Sequence, residues 1–291
     1  MKIRKAIIAV AGYGTRFLPA TKVIPKELLS IVDKPVVQYL VEEAAASGIE
    51  DIILVVREGT QAIADHFDSS RALEAHLTEQ KKEEMLEKVK RVSQLANFAL
   101  VRQTARLPYG NGSPILAARR FIGDEPFAYL FGDDLVISDK PCVQQLAELY
   151  ETHDPLGVIA VQDVPRAEIS RYGSVALIPG TEPPALESVV EKPKPEEAPT
   201  TLAQLGRFVL SPRVVEILES TRVGAGEELY LTPAIDALAR AGKVLVHAIE
   251  GRWETTGDPL RFMKANVEYM LRRPEFAEEF RSYLKEKARS L

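Results

Sequence analysis

The sequence contains little cysteine, no excess of positive charge and no long apolar run. Cys142 is the only cysteine among 291 residues, which excludes an internal disulfide and any multi-cysteine metal site. The formal net charge of −5 argues against a general electrostatic surface for nucleic acid or for an anionic membrane. No stretch approaches the roughly 20 apolar residues of a membrane span. We therefore expect a cytoplasmic protein with neither nucleic acid nor a membrane as a partner.

An apolar run that opens into a glycine loop is the strongest local pattern in the chain. Residues 6–10 lack polar alternation, as in a strand that is covered on both faces of a parallel sheet. Two glycines in the following loop let backbone N–H groups approach an anion closely. Arg16 and Lys26 add positive charge for phosphate oxygens. The loop residues that we expect to contact a nucleotide are Ala11, Gly12, Gly14 and Thr15.

Two better-known phosphate-binding loops do not fit this segment. A P-loop needs Gly-Lys followed by Ser or Thr, whereas the second glycine here is followed by Thr15 and Arg16. A dinucleotide-binding loop needs a third glycine where Phe17 stands. From these residues alone, an ordinary strand-to-helix turn with two cations is the alternative to a nucleotide loop.

The order of the apolar segments indicates an α/β protein. A strand over 5–10, a helix over 36–46 and a second strand over 51–56 suggest a parallel crossover unit. Further strands are predicted over 98–102, 126–130, 156–161, 205–210 and 244–249, and helices over 36–46, 60–67, 71–91, 212–219 and 232–240. We predict a Rossmann-like mixed, mostly parallel sheet flanked by helices, with a small β-rich part and C-terminal helices.

Polar side chains follow two of the predicted strands. Functional residues in open α/β sheets gather at the carboxyl ends of strands, and both Gln103 and Asp133 fall there. Asp133 is the best candidate metal ligand because Mg²⁺ prefers one or two carboxylates together with water and phosphate oxygens. Asp134 is the adjacent substitute, and a turn aspartate that satisfies local N–H groups is the alternative for Asp133.

Longer strings around these residues resemble the signature of bacterial UTP–glucose-1-phosphate uridylyltransferases. The strings are 14–22, 24–28 and 127–135, and the similarity extends from Lys5 to about Leu271. The resemblance implies the fold of a nucleotide-diphospho-sugar transferase and a homodimer or homotetramer. It also implies a nucleotidyltransferase domain over 1–258, with a nucleotide-binding part at about 1–135 and a sugar-binding part at about 136–258. A C-terminal helical tail over 259–291 would follow.

The resemblance also implies an activity, the formation of UDP-glucose and pyrophosphate from UTP and glucose 1-phosphate with Mg²⁺. The attacking sugar phosphate is already an anion, so the reaction needs positioning and charge neutralisation. The expected catalytic residues are Arg16, Lys26 and Lys192, with Asp133 at the metal. Further expected contacts are Glu27, Gln103 and Gly112 for the nucleotide, and Gly173, Glu191, Lys192 and Glu228 for the sugar.

Without the resemblance, these residues have simpler interpretations. Glu27, Gln103 and Glu228 would be surface polar residues, and 191–195 would be a proline-rich linker. The chain also departs from the family at the loop 109–114, at Pro233 in place of an aspartate, and at Thr255 in place of a second metal-binding aspartate. Glu254 or Asp258 could replace that carboxylate. These departures leave open another sugar or base, or a catalytically weak regulatory protein that binds a UDP-sugar.

Overall fold

A computed structural model of the chain describes residues 1–224 and 226–290. Its strands are β1 (Lys5–Val10), β2 (Ser30–Ile31), β3 (Lys34–Pro35), β4 (Asp51–Val56), β5 (Asn97–Arg102), β6 (Phe127–Phe131), β7 (Asp134–Ile137), β8 (Gly157–Asp163), β9 (Gly173–Leu177), β10 (Leu186–Glu191), β11 (Leu202–Leu210), β12 (Val244–Ala248) and β13 (Arg252–Thr255). Its helices are α1 (Val36–Ala46), α2 (Gln61–His66), α3 (Arg71–Glu79), α4 (Glu83–Ser93), α5 (Ser113–Ile122), α6 (Cys142–His153), α7 (Arg213–Ser220), α8 (Leu231–Ala241), α9 (Pro259–Met270) and α10 (Ala277–Arg289).

A mixed sheet forms the centre of the molecule. Its strand order is β10-β9-β11-β6-β1-β4-β5, with β8 paired to both β11 and β12. Strands β6, β1, β4 and β5 are parallel, so their carboxyl ends share one edge, whereas β11 runs antiparallel to β6, β8 and β9. The predicted mixed α/β sheet with a β-rich second part is therefore confirmed.

Strand β1 lies between two apolar cores, which explains why it lacks polar alternation. Ile8 belongs to the core on the α1 and α6 side, and Ile7 belongs to the core on the α5 and α8 side. Both side chains have no exposed surface. Burying a side chain of this size contributes about 1.5–3 kcal/mol, so burial on both faces fixes the strand from which the glycine loop emerges.

The segment 71–91 forms two helices, so its prediction as a single helix is wrong. Helix α3 ends at Glu79 and α4 begins at Glu83, with Lys81 between them at φ 56°. The break lets Leu77, which is 6% exposed, pack inward while α4 turns back alongside α3. The sequence has neither glycine nor proline at this break. The apolar periodicity and the i,i+4 charge pairs therefore predicted one helix across it.

Helices α5 and α6 and the strand pair β7–β13 were absent from the prediction. Helix α5 starts at Ser113 with Pro114 in its first turn, and α6 starts directly after Pro141. Strand β13 pairs with β7 such that Thr255 faces Asp134. This pairing joins residues more than a hundred positions apart and brings the segment 252–257 beside the end of β6.

Helix α9 packs onto the body of the protein. Its Ala265 has no exposed surface, and its Phe262 ring meets Phe17 edge-on with 5.6 Å between centroids. Its Tyr269 likewise meets Tyr39 at 4.8 Å. The proposed division at residues 258 and 259 remains a prediction. In the part of the chain that the structure describes, no helix combines the length and the apolarity that crossing a bilayer requires.

Candidate active site

A cavity of about 290 Å³ opens where β1, β5 and β6 end, and we name it the β1 cavity. It lies at the edge to which open parallel sheets bring their functional residues. Its lining includes Ala11, Gly12, Arg16, Lys26, Glu27, Gln103, Tyr109, Gly110, Asn111, Gly132, Asp133, Lys192, Glu228 and Tyr230. A larger cavity of about 830 Å³, the α9 cavity, shares Arg16 and Lys192 with it and extends along Thr255, Gly257, Asp258 and Arg261. Most of the predicted site residues thus meet in one place.

The glycine loop after β1 forms one wall of the β1 cavity. Gly14 has φ +63°, and a Cβ there would lie 3.0 Å from Thr21 Cγ2, so a larger residue would be both strained and crowded. The Thr21 hydroxyl donates to the Gly14 carbonyl at 2.7 Å. A Cβ at Gly12 would approach Lys26 Cε at 3.4 Å. Thr15 is exposed and begins a short 3₁₀ turn, and neither it nor Gly14 is among the lining residues.

Lys26 and Asp133 form an ion pair on the floor of the cavity. Lys26 Nζ lies 2.7 Å from Asp133 Oδ2, and the two side chains are 18% and 27% exposed. Burial acts to lower the pKa of Lys26, but the carboxylates of Asp133 and Glu27 outweigh it and hold that pKa above its usual range. Burial likewise acts to raise the pKa of Asp133, while Lys26 and Arg16 hold it below its usual range. Both groups are therefore charged at neutral pH.

The neighbouring Asp134 is engaged in hydrogen bonds within the fold. Its Oδ2 accepts from the Gly206 N–H at 3.0 Å, and its carbonyl accepts from Arg207 Nη2 at 2.6 Å. Burial and the charge of Asp133 raise its pKa to about 6. Arg207 has no exposed surface and forms a bidentate ion pair with Glu43 of α1. This network anchors the turn that presents Asp133.

The segment 254–258 supports Asp133 through its backbone. The N–H and the hydroxyl of Thr256 both donate to the Asp133 carbonyl, at 2.6 and 2.9 Å. Glu254 is ion-paired with Arg252 at 2.6 Å, and Asp258 caps α9 by accepting from the Arg261 N–H at 3.0 Å. Both carboxylates suggested as substitutes for Thr255 thus have other partners. Within residues 1–224 and 226–290, no three His, Cys, Asp or Glu side chains assemble into a metal-binding group.

Glu27 lies beneath the glycine loop with 1% of its surface exposed. Neither of its carboxylate oxygens accepts a hydrogen bond from any other residue that the structure describes. Burial raises its pKa to about 7, although the nearby Lys26 opposes this rise. A buried carboxyl without a hydrogen-bond partner lowers the stability of the folded protein, and such groups are typical of ligand-binding sites.

Gln103 follows β5, and its backbone N–H donates to the Val56 carbonyl at 2.8 Å.

The loop 109–112 is fastened to the segment 229–231. The Gly112 N–H donates to the Leu229 carbonyl at 2.8 Å, and the Leu229 N–H donates to the Tyr109 carbonyl at 2.7 Å. Gly110 has φ +130°, and a Cβ there would lie 2.4 Å from the Leu229 carbonyl oxygen. Gly112 is buried at the start of α5 and does not line the β1 cavity, whereas Asn111 does. The loop that departs from the family is therefore joined to the segment 229–231 by backbone hydrogen bonds on both sides of Gly110.

The residues predicted for the sugar lie on β10, on β9 and before α8. Lys192 has φ 44°, and its N–H donates to the Tyr172 carbonyl at 3.0 Å. Its ammonium lies 3.5 Å from Glu191 Oε1 and 4.9 Å from the centre of the Tyr230 ring. Glu191 ends β10, and Gly173 faces it in β9. The segment at 191–192 is thus part of the sheet edge and not a linker.

Comparisons with known proteins agree on one family. A model of the nucleotidyl transferase family matches residues 5–271. A relative from Staphylococcus saprophyticus named UTP–glucose-1-phosphate uridylyltransferase 2 is 47% identical over 285 residues, which cover 98% of each chain. This chain belongs to the UTP–glucose-1-phosphate uridylyltransferase family. The resemblance predicted from the signature strings is confirmed, and the chain is an enzyme of the nucleotidyltransferase class.

Solved structures with related sequences have the same fold. A UDP-glucose pyrophosphorylase complexed with UDP-glucose matches with a TM-score of 0.84 and 35% identity over 93% of this chain and 100% of its own. A UTP-bound UGPase from Acinetobacter baumannii matches with a TM-score of 0.89 and 33% identity over 98% and 99%. The predicted fold class is therefore confirmed. Nucleotidyltransferases of this family generally use a divalent metal ion.

Three residues in or behind the site were not predicted from the sequence. Asn111 and Tyr230 line the β1 cavity, and Arg207 anchors Asp134, but none of them was singled out. Asn111 lies in the loop that departs from the family, and this departure could have identified it as a candidate for substrate recognition. Arg207 stands within an apolar strand, where an isolated arginine is rarely buried without a partner. The partner, Glu43, is 164 positions away.

Proposed function

We propose that this chain joins UTP and glucose 1-phosphate into UDP-glucose with release of pyrophosphate. The main support is that a single cavity, the β1 cavity, is lined by Arg16, Lys26, Lys192 and Asp133. An oxygen of the sugar phosphate forms a bond to the α-phosphorus of UTP. The bond between that phosphorus and the oxygen that bridges the α- and β-phosphates breaks, and pyrophosphate leaves. The attacking oxygen is already anionic, so no general base is required.

The three cations divide the phosphate charge between them. Arg16 lines both cavities and donates to the Gly257 carbonyl at 3.2 Å, and we assign its positive charge to the leaving pyrophosphate. Lys26 lines the β1 cavity beside Asp133, and we assign it to the α-phosphate. Lys192 approaches from the sugar side and would neutralise the sugar phosphate. Fixed cations at the places where charge develops stabilise the transition state without reorganisation.

The residues present fit a Mg²⁺ ion that takes most of its ligands from phosphates and water. Asp133 is an ionised carboxylate at the cavity floor, and hard oxygen donors of this kind are those that Mg²⁺ prefers. Thr255 supplies no carboxylate, so Asp133 would be the main protein ligand. The ion would supply Lewis-acid polarisation of the phosphoryl oxygens. Lys26 balances the charge of Asp133 before the substrates arrive.

A different sugar or base is the second candidate function. The loop 109–112 presents Asn111 to the β1 cavity, and Pro233 stands where the family resemblance has an aspartate. Both departures bear on recognition and leave the cations unchanged. Pyrophosphate release measured with each of the four nucleoside triphosphates and a panel of sugar 1-phosphates separates the candidates. UTP with glucose 1-phosphate is the pair expected to give the highest kcat/KM.

The sequence also left open a regulatory protein that binds a UDP-sugar without turnover, and membership of a nucleotidyltransferase family argues against it. Such a protein has less need for Arg16 and Lys26, which serve a triphosphate. Tight UDP-glucose binding with no pyrophosphate release at saturating Mg²⁺ would favour it and would overturn the enzymatic proposal. A homodimer or homotetramer and a cytoplasmic location remain predictions.

A further inference from the structure

The carboxylate of Glu191 is held by a buried chain of hydrogen bonds from two other elements. Thr232 Oγ1 lies 2.6 Å from Glu191 Oε2, and Gln204 Nε2 lies 3.2 Å from the same hydroxyl oxygen. Thr232 is 1% exposed and Gln204 is 8% exposed. The three residues come from β10, α8 and β11. These hydrogen bonds therefore connect Glu191, which lies on the sugar side of the site, with the interior of the protein.

The direction of each hydrogen bond follows from the chemistry of the three groups. A carboxylate only accepts, and a hydroxyl has a single proton to donate. The Thr232 proton therefore points at Glu191, and Gln204 donates its amide N–H to a lone pair of the Thr232 oxygen. This arrangement fixes Oε2 of Glu191, while Oε1 faces the Lys192 ammonium at 3.5 Å.

Thr232 is itself held in place. It lies in the first turn of α8, where the preceding Leu231 N–H donates to Asn111 Oδ1 at 2.7 Å. Its methyl group faces Gly173, where an added Cβ would lie 3.5 Å from Thr232 Cγ2. Pro233 is tolerated after it because N–H groups in the first turn of a helix have no intrahelical acceptor.

We propose that Thr232 is a positioning residue for the sugar substrate, acting by fixing the Glu191 carboxylate, and that Gln204 sets the direction of the Thr232 proton. The inference rests on the proposed function, because it takes Glu191 to be a contact of the sugar hydroxyls. Pro233 removes a carboxylate that the family resemblance places on the sugar side, so the orientation of Glu191 carries more of the sugar recognition in this chain.

Two variants of Thr232 test the proposal in the full-length protein. Thr232→Val removes the hydroxyl and keeps the shape, and Thr232→Ser keeps the hydroxyl. We expect Thr232→Val to raise the KM for glucose 1-phosphate about 10- to 100-fold, the factor expected for a lost hydrogen bond to a charged group. The KM for UTP should stay within about two-fold, and Thr232→Ser should remain close to the parent protein.

A double-mutant cycle separates positioning from a general structural effect. In a Glu191→Gln background, Thr232→Val should change the KM for glucose 1-phosphate by less than about two-fold, because the two residues act as one unit. An unchanged KM in the single Thr232→Val variant would overturn the proposal. An equal rise in the KM for UTP, or a full effect that persists in the Glu191→Gln background, would also overturn it.

Binding measurements distinguish failure of this inference from failure of the proposed function. If the parent protein releases no pyrophosphate with any substrate pair, the proposed function fails. The inference is then tested by calorimetry with UDP-glucose and UDP. Thr232→Val should weaken UDP-glucose about 10-fold more than it weakens UDP. Equal weakening of both ligands would refute it.

Discussion

Replacing Glu43 by Gln should destabilise the protein strongly although the substitution hardly changes shape. Glu43 lies on α1, and its carboxylate is the counter-charge of Arg207 on β11. The Arg207 side chain also donates to the Asp134 carbonyl at 2.6 Å. The ion pair therefore links the first helix, the centre of the sheet and the turn that carries Asp133.

The structure sets the size of this effect. Arg207 is 0% exposed and the Glu43 side chain is 10% exposed, and Arg207 Nε and Nη2 lie 3.0 and 2.8 Å from the two carboxylate oxygens. Removing one member of a buried pair costs about 3–5 kcal/mol because the other charge stays buried without compensation. For a chain of this length, that loss lowers the Tm by roughly 5–8 °C at about 2.1 cal/mol/K of unfolding entropy per residue.

Thermal and urea unfolding of matched variants checks this value. Glu148→Gln is the control, because Glu148 pairs with Lys140 on the surface, where the side chains are 52% and 37% exposed. The control should change the free energy of unfolding by at most about 1 kcal/mol. If Glu43→Gln changes it no more than the control does, the buried pair does not hold the sheet as we describe.

Two further predictions concern residues of the site. Lys192→Ala should lower kcat/KM about 100-fold, because it removes a charged donor to the sugar phosphate. The control Lys194→Ala, at a side chain that is 70% exposed, should leave kcat/KM unchanged. Equal activity of both variants would contradict the assignment of Lys192 to the site. Glu27→Gln should flatten the pH dependence of stability. The folded-state pKa of Glu27 is raised from 4.5 to about 7, so the folded protein binds the extra proton and loses stability as pH rises through that window. Urea unfolding between pH 4.5 and 7 measures this loss, and parallel curves for both proteins would contradict it.

Local sequence patterns predicted the first βαβ unit. They did not predict elements whose conformation depends on contacts with distant parts of the chain. The bounds of β1, α1 and β4 match the prediction residue for residue, because each is an uninterrupted apolar or amphipathic segment. Helix α5 was missed because it follows the altered loop at 109–112, whose conformation depends on Leu229. The break at Lys81, where φ is 56°, has no glycine or proline to signal it in the sequence.

The candidate site divides in the same way. Arg16, Lys26 and Asp133 stand in recognisable strings, so the sequence was enough to select them. The roles of Asp134, Glu254 and Asp258 depended on partners that only the fold supplies. Asp134 faces Gly206, and Asp258 caps the helix that follows it. Thr232 acts through Glu191, 41 positions away, and no motif connects the two.

Pyrophosphate release by the parent protein and by Asp133→Asn, measured with UTP, glucose 1-phosphate and increasing Mg²⁺, tests the proposed function most directly. We expect rapid release by the parent protein, matched by UDP-glucose formation. Asp133→Asn should lower the rate about 100-fold and shift the Mg²⁺ dependence to higher concentration, whereas Asp139→Asn, at an exposed position, should change neither. Full activity with an unaltered Mg²⁺ response in Asp133→Asn would contradict the assignment of this cavity as the active site.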